Sequence, residues 1–144
     1  MHGTVRSVLR KTDFNYSFLQ GTSNTNEFIV ANTVSISGYN RIGMSVRVHE
    51  LDIAGSTANF VFQIRGVNPS AEDGRDFVRS TVLGSSSSLT ASISPPALGV
   101  LTAVIANPQT PFIRVVLRGQ GDAGAATGAA LYAQLSADLK MWMA

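Results

Sequence analysis

Leu131-Tyr132-Ala133-Gln134-Leu135-Ser136-Ala137-Asp138-Leu139-Lys140-Met141-Trp142-Met143 alternates apolar and polar side chains without a break. A period of two places successive side chains on opposite sides of a pleated ribbon. The leucines, alanines and methionines therefore share one face, and Tyr132, Gln134, Ser136, Asp138, Lys140 and Trp142 share the other. The stretch predicts a strand with one buried and one solvated face. A helix is the competing reading, because Leu131, Leu135, Leu139 and Trp142 or Met143 also recur at helical spacing. That stripe would carry Gln134 and Asp138 toward the core, which favours the strand.

The same period recurs upstream. Ile42, Met44, Val46 and Val48 oppose Arg41, Gly43, Ser45, Arg47 and His49. Phe60, Phe62 and Ile64 share a face in Asn59–Arg65, and Ile113, Val115 and Leu117 oppose Arg114, Val116 and Arg118. Phe28, Val30, Val34 and Ile36 keep one parity across Asn32, and the turn residues Ser37-Gly38-Tyr39-Asn40 make this run and Arg41–Val48 a hairpin or a corner. Shorter strands are expected in 77–83 and 88–93, ended by Pro95-Pro96, which cannot donate to a ladder. Leu98–Ala106 is read as a buried strand or short helix, and 119–128 as a loop. Strand and turn units at this spacing predict an all-β fold, an antiparallel β-sandwich or jelly roll.

A chain of 144 residues suffices for one domain. Residues 1–20 mix Val5, Leu9, Phe14, Tyr16 and Phe18 with Arg6, Arg10 and Lys11, and are read as an extended N-terminal arm ahead of a single sandwich domain, 21–144. Only 14% of residues are charged, against about 25% in an ordinary soluble domain. A surface so poor in charge suits being covered, which predicts permanent assembly. The first eighteen residues hold no apolar run of signal-peptide length and no stretch approaches the ~20 apolar residues of a membrane span, so synthesis in the cytoplasm and no membrane partner are expected.

Cysteine is absent, which removes disulfides and thiolate chemistry. Histidine occurs only at His2 and His49, and the one local cluster, His49-Glu50-Leu51-Asp52, reads as a solvated strand end. A serine triad drawn from 85–88 with His49 lacks any nucleophile elbow. Three carboxylates in Asn68–Asp76 lack the calcium-loop rhythm, and 119–128 lacks the ending of a phosphate loop. No enzyme, metal or cofactor is therefore expected. The pI of about 9.4 comes with a net charge of only +2 from scattered arginines, so no direct nucleic-acid binding is expected either. Arg114 and Arg118, with Arg41 and Arg47, stand on outward strand faces where they are solvated or ring an anionic partner. Trp142, the only tryptophan, sits at a position that normally frays; it either closes the chain's own barrel end or docks on a neighbour.

The order of an N-terminal arm, the Arg41–Val48 strand, Phe60-Val61-Phe62-Gln63-Ile64-Arg65-Gly66, an Asp-Gly loop followed by Phe77, Phe112–Leu117, a Gly/Ala/Thr loop and a long last strand resembles small jelly-roll structural proteins of tailed bacteriophages, including capsid decoration (cement) proteins. The resemblance implies a non-enzymatic homo-oligomer, trimeric in the favoured case, located in the virion and bound to a major capsid protein or other virion proteins. Candidate partner-binding residues are Arg6, Arg10 and Lys11 on the arm, Arg114 and Arg118 on an outward face, and Trp142. The alternative function is a carbohydrate-binding or receptor-binding module of a tail fibre, which would need exposed aromatics where most phenylalanines here have core parity.

Overall fold

The computed structural model describes residues 3–18, 24–54, 59–68, 79–86, 88–90, 97–100, 104–121 and 129–144. Nine strands are present among them: β1 (Gly3–Phe18), β2 (Asn24–Ser35), β3 (Arg41–Ala54), β4 (Asn59–Asn68), β5 (Arg79–Ser85), β6 (Ala97–Val100), β7 (Ile105–Ala106), β8 (Phe112–Gly121) and β9 (Ala129–Trp142). The long alternating stretch is thus strand, and the helical reading of it is excluded. Two antiparallel sheets form. One runs β1-β9-β3-β6, with the two-residue β7 pairing the start of β3, and the second runs β2-β8-β4-β5. Without β7 these are two four-stranded sheets in the order of an eight-stranded jelly roll.

Burial follows the parity. Leu131, Ala133, Leu135 and Leu139 are wholly buried, with Ala137 and Met141 nearly so, and they meet Ile42, Met44, Val46 and Val48 in one core. The β8 sheet supplies the other half through Phe60, Phe62, Ile64, Ile113, Val115 and Leu117. Alternation of size makes this packing possible. Ala133 is opposed in register by Phe14 on β1 and Leu51 on β3, and Ala137 by Leu9 and Val46, so the small β9 side chains make room for larger neighbours on both sides. Val116 is buried although its parity points away from the core; in register it lies between Ile29 and Gln63 on the outer face.

Several sequence expectations shift. Residues 28–36 and 41–48 do not pair with each other; β2 belongs to the β8 sheet and β3 to the β9 sheet, so 37–40 is a corner between layers. Gly38 takes φ +86° there, which a glycine adopts without strain. The corner is tied to the last strand by the Asn40 N–H donating to the Trp142 carbonyl at 3.1 Å, and to Asn107, whose N–H donates to the Asn40 carbonyl at 2.8 Å. Gly119, Gln120 and Gly121 extend β8 rather than opening a loop, because Gly119 lets Leu131 and Phe60 approach its backbone closely. In 88–93 the described part is a single bridge, Leu89 to Phe60, and in 98–106 it is the two short strands β6 and β7. Pro95-Pro96, the Asp-Gly loop and most of 119–128 lie outside the described residues.

Residues 3–18, set apart in sequence as an arm, lie along β9 as the edge strand β1, with register shifts between Ser7 and Leu9 and between Leu9 and Thr12. Phe14 alone among the β1 side chains described is buried, stacked edge to face on Phe28 with ring centroids 5.2 Å apart. Thr4 Oγ1 shares a 2.6 Å hydrogen bond with the Tyr39 hydroxyl, which pins the start of β1 to the corner.

The two parities of β9 predict opposite mutational behaviour. Leu135→Ala should cost about 2–5 kcal/mol and Ala133→Leu about 1–3 kcal/mol by overpacking. Lys140→Ala, on the outer face, should stay within about 0.5 kcal/mol. Urea unfolding of the three variants checks the ranking.

Candidate interaction surfaces

Each sheet leaves one face outside the core, and these two faces carry the polar chemistry. On the β8 sheet, alternation turns Val61, Gln63 and Arg65 of β4 and Arg114, Val116 and Arg118 of β8 outward. Register sets Arg65 opposite Arg114, and Arg118 between Val61 and Glu27. Arg65 grips Glu27 with both terminal nitrogens: NH2 donates to Oε1 at 2.5 Å and NH1 to Oε2 at 3.3 Å. The other edge of the guanidinium is held by the buried Gln63, whose Oε1 accepts from Nε at 3.0 Å and from NH2 at 2.8 Å. A planar fork fixed on two sides is preorganised, so little side-chain entropy remains to be lost. Arg118 Nε lies 3.3 Å from Glu27 Oε1 without hydrogen-bond alignment, so its contribution is Coulombic. Arg114 Nε donates to the Asn32 carbonyl at 3.3 Å. The Arg65 hydrogen bond, opposed by partial burial and reinforced by the charges of Arg65, Arg118 and Arg114, holds the Glu27 carboxyl below its ordinary value of 4.5.

The outer face of the β9 sheet is graded along its strands. At one end Tyr132 lies opposite Asp52, and its hydroxyl is 3.2 Å from both Asp13 Oδ1 and Glu50 Oε2. One proton can serve only one of these carboxylates at a time. Desolvation first, then the hydrogen bonds to Glu50 and Asp13 and their negative charges, push the Tyr132 hydroxyl up to about 12, so it stays a donor throughout the physiological range. In the middle, a shallow depression of about 140 Å³ is lined by Ser45, Arg47, Ser136 and Asp138. Beside it the His49 ring Nε2 and Ser136 Oγ are 2.9 Å apart. His49 sits where the register of β3 slips between Val48 and Glu50, so the pair pins a bulge. Of the expected solvated strand end, Glu50 and Asp52 are exposed, while His49 is half-buried and hydrogen-bonded. Ser136 lies opposite Arg47 within the ladder, so the amides around it are engaged in strand pairing. Ser86, from the 85–88 run, uses its Oγ to accept the Phe62 amide at 2.9 Å.

At the far end Trp142 lies over Gly43, whose missing side chain leaves room for the indole: a Cβ there would sit 3.6 Å from the ring carbons Cη2 and Cζ3. Trp142 is half-buried on its own sheet. Arg6, Arg10 and Lys11 are exposed on β1, away from the arginines of the other face. Of the six candidate residues, Arg114 and Arg118 are thus brought together, joined by Arg65 and Glu27, which the sequence reading did not single out. The parity that turned Arg114 outward also applied to Arg65; Glu27, 38 residues from Arg65, carried no such signal. Among the side chains described no aromatic is fully exposed, and among the described residues no group of three or more His, Asp or Glu is placed to hold a metal ion.

No protein-family model matches the sequence, and no curated protein matches it. Solved structures do. The chain is similar to the structure of the Gx strain of infectious bursal disease virus, with TM-score 0.62 and 12% identity over 97% of this chain and 31% of that one. A VP2 subviral particle of the same virus gives TM-score 0.57 and 14% identity over 99% of this chain and 32% of that one. The D431N mutant of that VP2, solved as derived T=1 particles, gives TM-score 0.50 at 12% identity over 98% of this chain and 36% of that one. The chain spans about a third of the length of these neighbours, and the likeness establishes the fold.

The Glu27 cluster gives a pH signature. A carboxyl whose folded value is lowered adds stability above its ordinary value, and this is lost as pH falls through the folded value. Glu27→Gln should therefore be less stable than the natural chain by at most about 1 kcal/mol at pH 7, the side chains being partly exposed. The difference should close below pH 4.5, as thermal melts between pH 7 and pH 3 would measure.

Proposed function

We propose that this chain is a non-enzymatic structural subunit of a virion, held in a shell by many repeated contacts. The observation that carries the reading is the two-sheet sandwich β1-β9-β3-β6 over β2-β8-β4-β5, whose fold over 99% of this chain is similar to that of a protein solved as a subviral particle. The low charge content and the exposed aliphatic side chains Val5, Ile29, Val82, Val104 and Met143 support a molecule whose surface is covered in use. Each weak contact gains from the high effective concentration of its neighbours on a symmetric lattice.

The finer reading is a decoration or cement subunit, oligomeric and trimeric in the favoured case, that binds a major capsid protein. Its tailed-phage setting rests on the pattern of strands and turns alone, since the neighbours described above come from infectious bursal disease virus. In this reading residues 1–20 act as the arm of a 21–144 sandwich: β1, with few buried side chains and two register shifts, peels from β9 and presents Arg6, Arg10 and Lys11 to the shell. Arg114, Arg118 and Trp142 complete the contacts. A second reading, in which the chain itself forms part of a shell, is favoured by the neighbours solved as a subviral particle and as T=1 particles.

Among the described residues, deleting 1–12 removes the partly buried Val8 and Leu9 but no fully buried side chain, because Phe14 remains. The truncated chain should stay folded by circular dichroism and lose binding to the particles that carry it. Full occupancy on those particles would overturn the cement reading, and closed particles of the purified chain alone, seen by electron microscopy, would establish the second.

A further inference from the structure

The outer face of the β8 sheet and one end of the outer face of the β9 sheet carry opposite charge. Among the described residues of the β8 sheet, Arg65, Arg114 and Arg118 stand around one carboxylate, that of Glu27. Around them stand aliphatic side chains: Val116 is buried, while Ile29 and Val82 are 57% and 49% exposed. Register sets Ile29 beside Val116 and Val82 beside Arg65. Arginine among aliphatic groups is the composition of an interface centre rather than of a solvated face. On the β9 sheet, the end around Tyr132 carries Asp13, Glu50 and Asp52, with Lys11 the nearest described cation along β1. Two of those carboxylates face one shared phenol proton, so each keeps unused acceptor capacity.

We infer that these faces are the two halves of one contact between copies of this chain: the carboxylate end of the β9 sheet of one copy seats on the arginine surface of the β8 sheet of the next. The inference rests on the structural-subunit reading above and deepens it by naming the surfaces. Charge complementarity selects the occupant. Among the described residues this surface holds more guanidinium groups than carboxylates, which favours an acidic partner, and the chain presents such a surface on its opposite side. Because the two patches lie on different sides of the sandwich, the contact is heterologous. It closes into a ring if the rotation allows and otherwise propagates as an open array. Arg65, already clamped by Gln63 and Glu27, offers a rigid platform, while Ile29 and Val82 exclude water around the new ion pairs.

Charge reversal tests the contact on the full-length chain by sedimentation velocity. Asp52→Lys and Arg114→Glu should each weaken self-association about tenfold, and the chain carrying both substitutions, which exchanges the signs at this one pair of positions, should recover most of it. Association of the natural chain should also weaken between 50 and 500 mM salt. Should Arg114→Glu fail to fold, Arg118→Gln supplies the basic-face variant and should weaken association in the same direction. Association that is unchanged by every folded single variant, or lost in the singles and not recovered in the double, overturns this contact while leaving a structural subunit in place. A chain that stays monomeric at all concentrations, salts and pH values overturns the contact and the self-assembling reading together.

Discussion

β9 is the strand on which the rest of the molecule depends. It is paired along both edges, by β1 over Gly3–Phe18 and by β3 over Arg41–Ala54, so its backbone groups are engaged on both sides. Its inner side chains form the floor of one half of the core. A single-residue slip would send Leu131, Leu135 and Leu139 to solvent and Gln134, Ser136 and Asp138 to the interior, which is why the register is so strongly specified. The alternation of leucine and alanine adds a second constraint, since each alanine leaves space that a neighbour such as Phe14 or Leu51 fills. The corner at Tyr39 and Asn40, the start of β1 and the indole of Trp142 all attach to this strand or to its immediate partners.

Periodicity explains which parts of the fold were legible in the sequence. Wherever a strand has one face in the core, as in β3, β4, β8 and β9, the alternation of side chains shows both the strand and its inward residues, while Gln63, Val67 and Val116 are buried off that parity. Pairing partners are another matter. Nothing local tells β2 to join β8 rather than β3, and the partner of β1 begins more than a hundred residues downstream, so neighbouring residues left hairpin and corner both open at 37–40 and did not show the pairing of 3–18. Val116 escaped notice because its burial arises from outer-face neighbours on two other strands.

The interaction surfaces were legible to a lesser degree, for the same reason. Outward parity identified Arg114 and Arg118 but not their grouping with Arg65 and Glu27, which depends on three strands being brought side by side. The hydroxyl of Tyr132 meets Asp13 and Glu50 only because β1 and β3 flank β9. What results is a sandwich whose interior is uniformly apolar apart from its edges and whose two exteriors differ chemically, one led by guanidinium groups and one graded from carboxylates to an indole. Such asymmetry costs a monomer little and gives a repeated subunit a direction.

Amide hydrogen exchange on the purified chain, resolved residue by residue, reaches the central claim most directly. With β9 paired on both sides, the amides from Leu131 to Met141 should rank among the slowest to exchange, and those of β1 from Thr4 to Leu9 should exchange faster, as befits an edge with shifted register. Fast exchange throughout 131–141, or sequential contacts there with helical spacing, would contradict the jelly roll and every surface derived from it.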